Sequence, residues 1–328
     1  MLRAASVGLG WWSDELAKAA AAGGALRIVS CTSRSAEKRA TFAETFGTGK
    51  HESYDAVLAD PEVEAVLLTT PHSLHAEQVM AAAEAGKQVF VEKPFTLTME
   101  SGSQAALACE RHGVVLAVGH NRRFAAAAQA IKALIEAGEL GRVLHIEANF
   151  SAPGALSYTP ERWRASRIES PAGALAGLGV HMIDLVAWLG GAVRRVTAQA
   201  KRLAAPVDID DTTSALFELE SGATAYLGSL FACPYTSRLN VYGTEGNALA
   251  GIDGNRLELQ RPGEEPVAQP LEPVDTLQAE LEEFAAACAG RATFRVRPAE
   301  AIHNVAVMQA IAASAEAGGQ PLDPAAMQ

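Results

Sequence analysis

The chain has 328 residues, 49% of them apolar, few aromatic, and a formal charge of −11 at pH 7. That length admits two domains, and the acidic balance argues against nucleic acid or an anionic membrane surface as the main partner. Cys31, Cys109, Cys233 and Cys288 form no metal-spaced pair and read as reduced structural thiols. No apolar run is long enough to span a bilayer, and a strand starting almost at Met1 leaves no room for a leader, so a cytoplasmic protein is expected.

Residues 2–7 read as a strand, followed by Gly8-Leu-Gly-Trp-Trp-Ser and a helical stretch over residues 14–22. Strand, glycine turn and helix are the context a dinucleotide fingerprint requires. Gly8 permits the tight turn, and Gly10 lets the backbone approach a pyrophosphate at the helix N-terminus. Trp11 and Trp12 sit in the same turn, and Ser13 holds the third position as a small residue in place of glycine. The second strand, residues 27–32, ends before Ser33 and Arg34, where an NAD site usually carries an acid for the ribose 2′-hydroxyl. Serine does not repel a 2′-phosphate and arginine pairs with it in bidentate fashion, so NADP(H) is expected over NAD(H).

Alternation continues with a helix over 36–46, a short helix over 54–59, a strand over 65–70 and a helix opening at Pro71-His72. Val89-Phe90-Val91 is a short buried strand that ends on Glu92-Lys93-Pro94. Pro94 restricts Lys93 to extended geometry and stops the strand. Strand tips of an open α/β sheet are where ligands bind, and a lysine there can polarise a carbonyl or alkoxide oxygen. A helix over 99–112 and a strand over 114–118 follow. The repeated pattern implies a doubly wound parallel Rossmann sheet over residues 1–123. His72, His75 and His120 lie at strand exits, where capping or packing explains them as well as chemistry does, and no metal is expected.

After a helix over 124–138 the rhythm changes. Residues 143–150, 196–203, 212–219, 223–231 and 239–242 read as strands with short turns between most of them. Residues 124–328 are therefore expected to form an α+β domain with a large open antiparallel sheet, closed by helices over 277–289 and 298–317. A large sheet with one face left uncovered points to a homodimer or homotetramer. Between the strands, a glycine-rich run leads into a helix over 180–189 that places His181 in its first turn, with Asp184 three residues on along the same face. The positive end of the helix dipole there favours neutral imidazole, which can accept a proton from an alcohol.

Gly8-Leu-Gly10, Thr70-Pro71 followed by His75, Glu92-Lys-Pro94, Asn121 to Phe124, and Gly179-Val-His181-Met-Ile-Asp184 together resemble the Gfo/Idh/MocA oxidoreductases over nearly the whole chain. The resemblance implies a Rossmann domain followed by an open-faced sheet domain, a nicotinamide cofactor, and a sugar, cyclitol, sugar-nucleotide or dihydrodiol substrate. It implies that Lys93 holds the reacting oxygen, that His181 moves the proton, and that the Lys93–Pro94 bond is cis. It extends the cofactor surface to Thr70, Pro71, His72, His75, Glu92, Lys93, Asn121 and Arg122, and the substrate surface to Lys93, Trp163, His181 and Asp184. One position departs from the family pattern: Gly177 stands where an aspartate commonly precedes the histidine by four residues. The expectation is an NAD(P)-dependent oxidoreductase acting at a secondary alcohol or ketone of a sugar-like or cyclic small molecule, in the cleft between the domains. A dihydrodiol dehydrogenase and a non-catalytic cofactor-sensing regulator are the alternatives.

Overall fold

Short β-branched and aromatic runs build the first sheet of the computed structural model, which describes residues 1–251 and 256–327. β1 (Leu2–Val7), β2 (Leu26–Thr32), β3 (Gly49–Lys50), β4 (Ala65–Leu68), β5 (Gln88–Val91) and β6 (Leu116–Val118) pair in parallel in the order β3-β2-β1-β4-β5-β6. The helices α1 (Trp11–Gly23), α2 (Ala36–Phe46), α3 (Tyr54–Ala59), α4 (His75–Glu84) and α5 (Met99–His112) provide the crossovers. Several begin on a serine or threonine cap: the Ser35 hydroxyl accepts from the Lys38 amide and the Thr98 hydroxyl from the Ser101 amide, both at 3.2 Å. β4 is buried along its whole length, as a strand covered on both faces must be.

The chain divides into two compact units, the first comprising Met1–Asn121 and Asp275–Ile302, the second Arg122–Val274 and His303–Gln328. The sequence places residues 275–302 with the C-terminal domain. Instead α8 (Thr276–Cys288), capped by the Asp275 carboxylate on the Leu277 and Gln278 amides, packs on α1 and inserts Phe284 against Phe90 of β5 with ring centroids 5.7 Å apart. Full burial of one such aromatic contributes about 1.5–3 kcal/mol, enough to fix the helix on this unit.

The second unit carries α6 (Ala126–Glu136), β7 (Val143–Ser151), α7 (Val180–Gly190), β8 (Val193–Lys201), β9 (Thr212–Leu219), β10 (Thr224–Leu230), β11 (Thr236–Gly243), β12 (Asn247–Ala250), β13 (Arg256–Gln260) and β14 (Val267–Pro270). Most of α9 (Pro298–Glu316) belongs to it. The strands form one sheet in the order β14-β13-β12-β11-β7-β10-β9-β8. It is not wholly antiparallel as expected, because β7 and β10 run parallel. The helical crossover through α7 brings the chain back in the same sense at β8, and the β8–β9–β10 meander then lays β10 alongside β7. One sheet face packs on Ile131, Met182, Leu185, Val186, Val307 and Ile311 of the three helices. The other shows the alternating exposure of β9, with Leu216 59% exposed.

Candidate functional site

Register aligns the chemistry in the first unit. Val7 pairs with Leu68, Leu68 with Val91, and Val91 with Val118, so β1, β4, β5 and β6 end level with one another. The residues that follow, Gly8, Thr69, Glu92-Lys93 and Gly119 to Asn121, therefore line the carboxyl edge of the sheet. The strand order reverses at β1, the place where ligands bind in such folds.

Gly8 has φ +89°, and a Cβ there would lie 2.8 Å from Thr70 Cγ2 and 2.9 Å from the Thr69 carbonyl carbon, so only glycine fits. Its carbonyl accepts a hydrogen bond from the Thr69 hydroxyl. Gly10 caps α1, and the space where its Cβ would stand is open, with no atom of the described residues within 4 Å apart from its neighbours in the chain. Its amide donates to the Ser13 hydroxyl at 3.0 Å, which explains why a serine serves at the third fingerprint position. An open cradle at a helix N-terminus fits a dinucleotide pyrophosphate. Trp11 is 72% exposed on its rim, while Trp12 turns inward. Ser33 is half-buried and Arg34 exposed just beyond β2. Arg39, not singled out from sequence, donates to the Ser33 carbonyl at 2.6 Å and fixes this turn.

Lys93 is held from several sides. Its peptide bond to Pro94 is cis, as the resemblance implied. The buried Glu92 carboxylate accepts from Trp12 Nε1 at 2.5 Å and from the Lys93 amide at 3.2 Å. Gly119 leaves room for it, since a Cβ there would stand 2.8 Å from Glu92 Oε1. His75 is fully buried, with its ring nitrogens 3.0 Å from the Pro94 carbonyl and 3.1 Å from the Thr70 carbonyl. It thus braces the lysine loop from behind. His72 is also buried, 5.8 Å from His75 between ring centroids. Pro71 caps the turn that opens at His72, and the Thr70 hydroxyl donates to Gln78 Oε1 at 2.5 Å. Asn121 is buried and donates to the Thr276 hydroxyl at 3.0 Å.

In the second unit, His181 is 5% exposed, with its ring centroid 5.9 Å from that of Phe150. Arg122 lies over the same Phe150 ring at 5.2 Å, and burial pulls its guanidinium down to about 10. His181 does not stand at a bare helix end. Leu175–Gly179 winds a π-helical turn directly into α7, and the Val180 amide bonds back to Leu175. The amides that carry the positive end of the dipole are therefore one turn upstream, and the expected dipole effect on the imidazole is correspondingly weaker. Asp184 lies deeper in the same helix. It is fully buried, its carboxylate receiving Arg123 Nε and Nη2 at 2.8 and 2.7 Å and Asn304 Nδ2 at 2.7 Å. The ion pair binds α7 to its neighbours. Trp163 is half-buried in a 3₁₀ turn, with the Arg164 guanidinium 4.1 Å from its ring centroid. A Cβ at Gly177 would find only Phe231 Cζ, at 3.8 Å.

Sequence reading missed Glu280, a fully buried acid in α8. Its signal was present: Glu280, Phe284 and Ala287 share one helical stripe, and the other two are apolar.

Residues 2–120 match the oxidoreductase family with an NAD-binding Rossmann fold, and residues 128–249 the GFO/IDH/MocA C-terminal domain. The chain is 28% identical over 306 residues to 1,5-anhydro-D-fructose reductase of Ensifer adhaerens, covering 89% of each. It is 34% identical over 242 residues to the NADP(+) scyllo-inositol 2-dehydrogenase of Bacillus subtilis, covering 72% of this chain and 64% of that one. A solved oxidoreductase structure from Desulfitobacterium hafniense superposes with a TM-score of 0.93 at 30% identity, covering 99% of this chain and 98% of that one. With the glycine cradle, the lysine at the tip of β5 and both domain matches in one chain, the protein belongs to the Gfo/Idh/MocA family of oxidoreductases.

Proposed function

We propose that this enzyme is an NADP(H)-preferring dehydrogenase or reductase acting at a secondary alcohol or ketone of a sugar-like or cyclitol substrate. The observation that carries the reading is Lys93, fixed at the tip of β5 in the row that begins with Gly8 and braced by Glu92 and His75. Gly8, Gly10 and the first turn of α1 hold the pyrophosphate, and Ser33 with Arg34 holds the adenosine ribose and its 2′-phosphate. When bound, the nicotinamide accepts or supplies the hydride. The Lys93 ammonium stabilises the oxygen on which negative charge develops, a role that requires a preorganised donor in a water-poor site. His181 takes the alcohol proton during oxidation and returns it during reduction. The names of the relatives, a sugar-derived ketone reductase and a cyclitol dehydrogenase, support the substrate class.

The test is Lys93→Ala assayed with a panel of polyols and sugars. Turnover is expected to fall by about 10²–10³ or more, the loss seen on removing one oxyanion donor, while NADPH binding stays within about threefold. Loss of cofactor binding with turnover, or unchanged turnover, overturns the assignment.

We also propose self-association through the solvent face of the eight-stranded sheet. Thr197, Leu216, Tyr226, Glu147 and Asn240 lie in one row across five strands by register. Light scattering after size exclusion is expected to return a multiple of the chain mass, and a clean monomer overturns this.

A further inference from the structure

Three residues of α8 spaced four apart, Thr276, Glu280 and Phe284, face the carboxyl edge of the Rossmann sheet. Thr276 accepts from Asn121 beyond β6, and Phe284 packs on Phe90 of β5. Phe90 and Glu92 are two apart in the extended chain of β5 and share a face. Glu280, between Thr276 and Phe284, is thereby brought to the strand tip that carries Glu92 and Lys93. It is fully buried, and among the described residues neither carboxyl oxygen has a hydrogen-bond partner. The Asn121 Oδ1 atom, also buried, lacks one as well.

The two acids differ in what holds them. Glu92 accepts two N–H donors, from Trp12 and from the Lys93 amide, which favours its ionised form. Glu280 is fully buried and has no donor among the described residues, and a carboxylate in that position is strongly disfavoured. We propose that Glu280 is a positioning residue for Lys93: a buried carboxylic acid that keeps its proton at neutral pH beside ionised Glu92, and whose ionisation in alkali holds the Lys93 ammonium in its charged state. The proposal rests on Lys93 being the oxygen-stabilising group.

The charged groups around Glu280 are Glu92 and Lys93 from the tip of β5 and Asp275 and Glu283 from its own helix. Burial raises its proton affinity well above the ordinary carboxylate range, Glu92, Asp275 and Glu283 add to this, and Lys93 opposes it. The β6 side contributes the neutral Asn121, with the buried His120 preceding it. α1 meets the opposite side of α8, where Ala19, Ala20 and Gly23 line a gap with Gln278, Leu281 and Glu282. Glu92 therefore places a negative charge beside Lys93 at neutral pH. A second appears when Glu280 ionises, and it favours the ammonium further.

The experiment is Glu280→Gln, which keeps shape and removes the titration. The alkaline limb of kcat/KM is expected to move to lower pH by about half a unit or more. Thermal stability gives a readout independent of turnover. Because the folded-state affinity of Glu280 for its proton exceeds the unfolded value, wild type loses stability as pH rises above about 4.5. The melting-temperature advantage of Glu280→Gln should accordingly grow as pH rises from about 5 into the alkaline range. Wild type carries a third measurement should the variant fail to fold: an infrared carbonyl band of a protonated carboxylic acid that persists at neutral pH. An unshifted alkaline limb with a pH-independent stability difference, or no such band in wild type, overturns the proposal. If Lys93→Ala keeps its turnover, the catalytic reading falls by itself, since the band and the stability difference report on Glu280 without reference to Lys93 chemistry.

Discussion

The Trp12 indole N–H donates to Glu92 Oε1 at 2.5 Å, joining the glycine turn after β1 to the residue that precedes Lys93. Eighty residues of chain separate the pair. On the proposed function, this one hydrogen bond couples the cofactor turn to the lysine that holds the substrate oxygen. Trp12→Phe keeps the ring and removes the donor. It should lower kcat and weaken NADPH binding together, by about fivefold to tenfold each, in line with loss of a hydrogen bond to a charged group. Steady-state kinetics and a binding titration check this, and an effect on only one of the two parameters refutes the coupling.

The proposed NADP(H) preference rests on Ser33 and Arg34. With Trp11 exposed and Trp12 inward in the cradle, tryptophan fluorescence should report binding directly. NADPH is expected to bind about tenfold tighter than NADH, roughly 1.4 kcal/mol. Arg34→Ala should erase most of that preference while leaving NADH affinity unchanged. Equal affinities in the wild type make Arg34 a surface residue only.

Gly177 can be tested by filling it. The first atom of a side chain there meets Phe231 Cζ at an ordinary 3.8 Å, so Gly177→Asp should fold. One helical turn before His181, the new carboxylate raises the basicity of the imidazole. Turnover of simple polyols is expected to rise by about threefold to tenfold, with the acidic limb of the kcat profile moving to higher pH. If polyol turnover falls instead, the glycine is a requirement of the natural substrate.

The Arg123–Asp184 pair, with each side chain 1% exposed, is a stability device. Asp184→Ala leaves a guanidinium buried without its carboxylate and should cost about 3–5 kcal/mol in denaturant unfolding. Substrate KM for the folded fraction should not change, and a selective rise in KM would return Asp184 to the substrate site.

Local patterning was enough for residues 1–121. The β-branched runs, the glycine turn and the helix caps each carry their conformation within a few residues, so β1, α1, β5 and the lysine loop could be placed from sequence, along with the kinship of both halves. The candidate site was legible where a residue type has a local reason to be there: Gly8 for its positive φ, Lys93 before a proline. Other features depended on partners distant in the chain. The same Asp184 that follows His181 on a helix face is neutralised by Arg123 and Asn304, 61 and 120 residues away. The parallel β7–β10 pair follows from the crossover through α7 and not from any strand's own pattern. Above all, the return of α8 to the Rossmann sheet is a packing decision. Phe284 finds Phe90 across nearly 200 residues, and Glu280 is carried with it into a fully buried position beside Glu92 and Lys93. An acid's place on a helix stripe is written in the sequence, but whether it remains an acid is decided by the dielectric and the charges that the fold places around it.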